Sequence, residues 1–292
     1  MSAERQYACA DTGARDKLWQ RHFAAALRLD QPAFYPVSGT TAIVRGGECP
    51  LADLLREATG PHILKPRFGS NGCAVARVSY TPTGFALESD CPDTALFLNE
   101  FPFDSAASGR DALEALAGRR ERYIDRARAG IPERLLNESL LEAEVPPWRA
   151  DGLLCEPRVI AQRVSGERFD VLGGVCKLID TEVGACVARD FREVPLLKGL
   201  EPHLGPDAPR ARAELLAAST RATAALVPAL EARGTRVHQF GIDFRLYRNE
   251  GGAPRFALLE FQFGIGRVAP ECAPPGYRTR TELAAAFGPF FD

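Results

Sequence analysis

The stretch Gly241–Arg267, GIDFRLYRNEGGAPRFALLEFQFGIGR, decides how this chain is read. Two strand-like runs flank a glycine-rich turn, which predicts a hairpin. The first run carries Asp243; the second carries Glu260 and, two residues on, Gln262. Residues i and i+2 of a strand share a face, so the carboxylate of Glu260 and the amide oxygen of Gln262 project together, and the hairpin brings Asp243 beside them. Such an oxygen cluster suits a hard divalent cation, Mg²⁺ above all, completed by phosphate oxygens and water. The apolar run FALL before Glu260 predicts a buried backbone, where an acid is costly unless paired or metal-bound. The competing reading is a surface hairpin whose acids face solvent.

Outward from the hairpin, the bulk properties bound the function. The chain has 292 residues, enough for two domains or one large one, with 46% hydrophobic and 25% charged residues. A formal net charge of −2 gives no basic field for nucleic acid. No apolar run is long enough to span a bilayer, and MSAERQYACADTG lacks a signal-peptide pattern, so a cytoplasmic protein is expected, with neither a nucleic-acid nor a membrane partner. The eight cysteines form no CxxC pair, which argues against a zinc ribbon and for buried reduced thiols. No Ser-His-Asp or Cys-His constellation stands out.

Along the chain, RDKLWQRHFAAALRL (15–29) has helical period, TTAIV (40–44) is strand-like, and CPLADLLREATG (49–60) is a short helix closed by glycine. HILKPRFGSNGCAVARVSY reads as strand, glycine loop, strand. The charged runs DALEALAGRRERYIDRARAG and PERLLNESLLEAE predict two helices in an insertion at about 104–150. LLCEPRVIAQRVSG and FDVLGGVCKLI return to strand character, 210–234 is the longest helical stretch, and TELAAAFGPFF closes the chain as a helix. Helices and strands mix without strict βαβ alternation, so the class is α+β.

Two further segments carry candidate chemistry. In HILKPRFGSNGCAV a buried strand delivers Lys65, a point charge for a phosphate, and Gly69, Ser70, Asn71 and Gly72 form a loop whose N–H groups can approach an anion. The spacing is neither that of a Walker A loop nor that of a dinucleotide fingerprint; the competing reading is a hairpin turn with an edge lysine. In VIAQRVSGERFD (159–170) a strand with Gln162 runs into a turn and then Glu167 and Asp170, a pattern that suits a purine edge and ribose hydroxyls, although on this segment alone a plain strand and turn is the stronger reading.

The order of these pieces resembles the ATP-grasp superfamily. The resemblance runs from about residue 16 to 270 and rests on Asp16-Lys17-Leu18, on Ile63-Leu64-Lys65-Pro66 with the Gly69–Gly72 loop, on Gln162-Arg163-Val164, on Arg189 or Arg192, and on Asp243 with Glu260-Phe261-Gln262. It implies an ATP-grasp fold with nucleotide held between the sheets of two α+β subdomains, 15–160 and 161–292. It implies that Lys17 and Lys65 contact ATP phosphates under the 69–72 loop. Gln162, Arg163 and Val164 would form the adenine hinge, with Glu167 or Asp170 on the ribose. Arg189 or Arg192 would stabilise the transferred phosphoryl group beside Lys65, and Asp243, Glu260 and Gln262 would hold Mg²⁺. The implied activity joins a carboxylate to an amine through an acylphosphate, on an amino acid, peptide or small metabolite in a biosynthetic role; a phosphotransferase or a non-catalytic nucleotide- or partner-binding module are the alternatives. The chain departs from the family pattern in three ways. Gln262 replaces the usual asparagine, Gly241 stands where a basic residue often precedes the first metal acid, and only 16 residues precede Lys17, where the family usually has an N-terminal α/β domain. The work of that domain is expected to fall to the 104–150 insertion, a partner protein or a second copy of the chain.

Overall fold

The computed structural model describes residues 16–68, 75–81, 84–89, 138–180, 191–263 and 268–288. Helix α1 (Lys17–Ala26) starts on the side chain of Asp16, which accepts from the N–H groups of Leu18 and Trp19 as an N-cap. Its Trp19 and Phe23, one turn apart, stack with ring centroids at 5.2 Å. The more deeply buried stripe is polar apart from Ala24: Lys17, Gln20 and Arg21. That stripe faces the candidate site.

The first sheet is built from β1 (Phe34–Ser38), β2 (Thr41–Val44), β3 (Gly47–Pro50), β4 (His62–Pro66), β5 (Ala76–Thr81), β6 (Gly84–Glu88) and β7 (Glu138–Ala143), in the spatial order β3-β2-β1-β7-β4-β5-β6. Every pairing is antiparallel. One face packs Val37, Ala42, Leu64, Ala76, Val78 and Leu141 against Leu51 and Leu55 of α2 (Leu51–Glu57).

Strand β7 corrects the sequence expectation, which placed a helix over PERLLNESLLEAE. Residues 138–143 pair with β1 on one side and β4 on the other. A strand covered on both faces keeps apolar residues at successive positions, here Leu140 and Leu141, and so loses the alternation that marks a half-exposed strand. Residues 132–137 of that segment and the helix expected over DALEALAGRRERYIDRARAG lie outside the described residues.

The second sheet runs β11-β10-β9-β12-β13, with the short β8 (Arg149–Ala150) beside β9. Its strands are β9 (Leu153–Ser165), β10 (Arg168–Ile179), β11 (Phe191–Pro195), β12 (Gln239–Arg248) and β13 (Pro254–Phe263), and all pairings are antiparallel. The chain changes sheets between Ala143 and Arg149, and β9 runs through residues 160 and 161, where the sequence placed the division between subdomains. Helices α3 (Leu196–Leu204) and α4 (Ala208–Glu231) cover the apolar face, burying Leu200, Leu215 and Leu226 on Val159, Cys176, Phe240 and Ile242. α4 passes Pro228 without breaking. The segment Val268–Tyr277 packs Val268 and Cys272 on Ile160 and Val175 of the opposite face, and α5 (Arg280–Phe287) starts behind a Thr279–Glu282 capping box. The class is α+β, in agreement with the sequence pattern. The described cysteines, Cys49, Cys155, Cys176 and Cys272, are free thiols. No described helix is long and apolar enough to cross a membrane.

Gly199 is where α3 seats on the sheet. A Cβ there would stand 2.2 Å from the Cβ of Cys176 and 2.6 Å from its Sγ. Overpacking at this contact outweighs the ~1 kcal/mol helix-propensity gain of alanine over glycine. Gly199→Ala is therefore expected to destabilise the fold by about 1–3 kcal/mol net, read as a lower denaturant midpoint at unchanged slope.

Candidate functional site

Two knots of buried charge meet beside the hairpin. The first centres on Glu142 of β7, only 3% exposed. Arg21 of α1 holds it with two parallel bonds, Nε to Oε1 at 2.6 Å and Nη2 to Oε2 at 2.9 Å. Lys65 of β4 places Nζ 2.8 Å from the same Oε1. The guanidinium of Arg21 also donates to the carbonyls of Leu258 and Leu259 on β13, both at 2.7 Å. Gln20 completes the contact with both amide atoms on the backbone N–H and C=O of Phe261, each at 3.0 Å. The start of α1 is held in turn by Arg67, whose guanidinium pairs with Asp16 and Glu138 and whose carbonyl accepts from the Lys17 N–H at 3.1 Å.

Burial pushes the Lys65 ammonium down to about 8 against the pull of Glu142, with Arg21 pushing the same way as burial and Glu260 opposing it. Burial likewise lowers Lys17, against the attraction of Glu260, Glu142 and Asp16. Burial would raise Glu142, but Arg21 and Lys65 outweigh it and hold the carboxyl below the usual range.

The second knot centres on Asp243 of β12, 3% exposed. Arg158 of β9, its cross-strand neighbour, grips it with Nε at 2.6 Å and Nη2 at 2.7 Å, and Lys177 of β10 adds Nζ at 2.7 Å. Burial would raise the Asp243 carboxyl, yet Arg158 and Lys177 drive it far below the ordinary carboxylate range. Gly241 explains how Arg158 reaches across: a Cβ there would lie 3.1–3.2 Å from the Arg158 Cδ, Cγ and Nε. The glycine found in place of a basic residue thus leaves room for one supplied by the neighbouring strand. On the same face Glu156 pairs with Arg245.

Glu260 joins the knots. It lies opposite Asp243, with Gln262 opposite Gly241, so Asp243, Glu260 and Gln262 share one face as the spacing predicts. The register skips one residue between these pairs and Phe244–Leu258, which makes Leu259 a bulge immediately before Glu260. Half-buried Glu260 acts electrostatically on Lys17, Lys65 and Arg158 alike. The three acceptors do not form a cation site as arranged. Both oxygens of Asp243 are taken by Arg158 and Lys177, and among the described residues no group of three or more His, Cys, Asp or Glu is placed to hold a metal. Asp243, expected to ligate Mg²⁺, is instead the acceptor of a three-way ion pair.

The other expected residues are spread more widely. Gln162 is buried, and its amide accepts from the Arg278 N–H at 3.0 Å and donates to the Arg278 C=O at 2.7 Å. The Arg278 guanidinium donates to the carbonyl of Val164 at 3.1 Å and approaches that of Arg163 at 3.5 Å. The Arg163 guanidinium turns to Glu231 at 2.7 Å and to the carbonyl of Gly166. The hinge groups expected to face a purine are therefore engaged by the chain's own C-terminal segment. Beside Gln162 in register lies Gln239, 1% exposed, whose amide oxygen and nitrogen have no hydrogen-bond partner among the described residues. Glu167 lines an open cleft of about 460 Å³ with Arg163, Glu231 and Arg236. Asp170 forms an exposed pair with Arg168, which lowers its carboxyl. Arg192, expected at the transferred phosphoryl group, is corrected: it pairs across from Leu178, on the face covered by α3 and α4, while Lys177 and its partner Glu193 occupy the charged face. Gly69, Ser70, Asn71, Gly72 and Arg189 lie outside the described residues.

Arg21, Glu142, Arg158 and Lys177 are members of the site that the sequence motifs do not single out. Their signal is a charged residue inside an otherwise apolar strand, as in LLCEPRVIAQ, GGVCKLI and SLLEA, where burial demands a partner.

No protein-family model and no curated protein sequence matches the chain. Among solved structures, D-alanyl-alanine synthetase A from Vibrio cholerae is similar over 94% of this chain and 63% of its own, with a TM-score of 0.48 and 13% identity. D-cycloserine synthetase is similar over 94% and 69%, with a TM-score of 0.44 and 16% identity. The N5-carboxyaminoimidazole synthetase of Staphylococcus aureus complexed with ADP is similar over 89% and 46%, with a TM-score of 0.44 and 10% identity. This chain thus spans less than two thirds of the length of the first and under half that of the last.

The two acids of the hairpin separate experimentally. Asp243→Asn leaves Arg158 and Lys177 uncompensated in the interior and is expected to cost about 3–5 kcal/mol of stability. Glu260→Gln, which removes a half-buried acid coupled to its cations without a direct ion pair among the described residues, is expected to cost about 1 kcal/mol, well below Asp243→Asn. Urea unfolding of both variants measures the difference.

Proposed function

We propose that this chain is an ATP-grasp-type ligase that joins a carboxylate to an amine at the expense of ATP. The observation that carries the reading is the burial of two ammonium groups, Lys17 from α1 and Lys65 from the first sheet, both under the electrostatic pull of Glu260 on the second sheet. Buried ammonium groups suit the polyanionic phosphates of a nucleotide. The orphaned amide of Gln239 beside Gln162 supplies a donor and an acceptor of the kind that reads a purine edge.

In this reading the substrate carboxylate attacks the γ-phosphorus of ATP, the bond to the bridging oxygen breaks, and ADP leaves. The amine then attacks the acylphosphate carbonyl, phosphate departs with the C–O electron pair, and the amine loses its proton. Lys17 and Lys65 neutralise phosphate charge. Such chemistry needs positioning and charge neutralisation and no protein nucleophile. Mg²⁺ would accompany the nucleotide, but the commitment of Asp243 to Arg158 and Lys177 does not fit the three-ligand site, so no step is assigned to the metal. That same commitment favours one second reading, a nucleotide-binding module without turnover.

Product analysis with ATP and a panel of amino-acid and dipeptide carboxylates and amines tests both. Ligation predicts ADP and free phosphate only when carboxylate and amine are both present, and Glu260→Ala is expected to abolish it. ADP without free phosphate would instead mean transfer to a hydroxyl, and ATP binding without turnover on any pair would mean a binding module. A pH titration adds an independent check. Lys65, held at about 8, is charged below that pH and neutral above it. Affinity of the free protein for ADP, measured by calorimetry, is expected to fall as pH rises through about 8.

A further inference from the structure

Glu142 and Arg21 are assigned to neither phosphate nor metal, yet they touch the groups that are. The Glu142 carboxylate accepts Lys65 at 2.8 Å and Arg21 at 2.6 and 2.9 Å. Arg21 directs its remaining donors at the carbonyls of Leu258 and Leu259, the two residues before Glu260. One carboxylate therefore sets where the Lys65 ammonium sits, and one guanidinium ties that carboxylate to the strand that presents Glu260. An ammonium on a four-carbon stem has many rotamers, and binding a phosphate from a free ensemble costs the entropy of choosing one. A buried acceptor at hydrogen-bond distance removes that cost beforehand.

We propose that Glu142 is a positioning residue for nucleotide binding, holding Lys65 in its phosphate-binding position, and that Arg21 keeps this lysine in register with Glu260 across the two sheets. The inference rests on the reading of Lys65 as a phosphate ligand.

The test is a double-mutant cycle on the full chain, with ADP as the probe and calorimetry as the readout. Glu142→Gln is expected to weaken ADP binding about tenfold, the order of one charge-assisted hydrogen bond. Lys65→Met is expected to weaken it by at least as much, and the double variant to match Lys65→Met alone to within about twofold, since Glu142 acts only through the lysine. Additive losses in the double variant, or a Glu142→Gln protein that is less stable yet binds ADP like the parent, would overturn the inference and leave Glu142 a purely structural ion pair. Should Glu142→Gln fail to fold, Glu142→Asp decides: it keeps the charge for Arg21 but shortens the reach, and is expected to bind ADP several-fold more weakly. Parent-like affinity in Glu142→Asp would sink the proposal. A parent chain that binds no ADP overturns the nucleotide reading itself and this inference with it; a parent that binds ADP while the variants behave as parent overturns the inference alone.

Discussion

The carboxylate of Glu142 is the constraint around which the two sheets are arranged. An ionised carboxylate in the interior is tolerable only when its charge is matched and its lone pairs are filled. Arg21 and Lys65 do both, and they come from different elements: α1 before the first sheet and β4 within it. Satisfying Glu142 therefore fixes where α1 lies against β4 and β7. Because the same guanidinium bonds the backbone of β13, it fixes α1 against the second sheet as well. Replacing such a trio with apolar residues can preserve stability, but it discards the geometry that fixes the Lys65 ammonium.

The Asp243 knot has a different character. All of its members, Arg158, Lys177 and Asp243, lie on neighbouring strands of one sheet, so it staples that sheet and does not join two bodies. Its oxygens are saturated by cations, whereas Glu260 across the ladder senses three cations without being fully enclosed by them. Two acids that are equivalent by spacing are thus unequal by environment. Gly241 contributes to this, since a Cβ there would crowd the Arg158 stem at 3.1–3.2 Å.

How far the sequence is legible depends on the range of the interactions. The hairpin, β9, β10, α1 and α4 announce themselves through local period and punctuation, and all are readable. β7 is not, because burial on both faces erases alternation; α3 is hidden because Gly199 and Pro202 interrupt its pattern. At the site, Lys17, Lys65 and Glu260 stand out by residue type and order along the chain. Their partners do not. Arg21 and Glu142 are 121 residues apart, Arg158 and Asp243 are 85 apart, and Lys177 and Asp243 are 66 apart. A charge paired at such a distance looks, in sequence, like any solvated surface charge. The misplacement of Arg192 has the same root: one residue of register along β11 moves a side chain to the other face.

The polar stripe of α1 shows why a buried hydrophilic helix face can be stable. Strand β13 is the edge of the second sheet among the described residues, and an edge leaves backbone donors and acceptors to be filled. Gln20 answers Phe261 with one donor and one acceptor, as a neighbouring strand would, Arg21 takes the carbonyls of Leu258 and Leu259, and the carbonyl of Asp30 takes the Leu258 N–H at 2.7 Å. The helix side chains thus stand in for a further ladder strand at this edge, and the bulge at Leu259 is held open by the same contacts. Because the stripe that closes the edge begins with Lys17, sealing β13 also buries an ammonium group that Glu260 attracts. Edge protection and the convergence of charge at the candidate site are consequences of one packing arrangement.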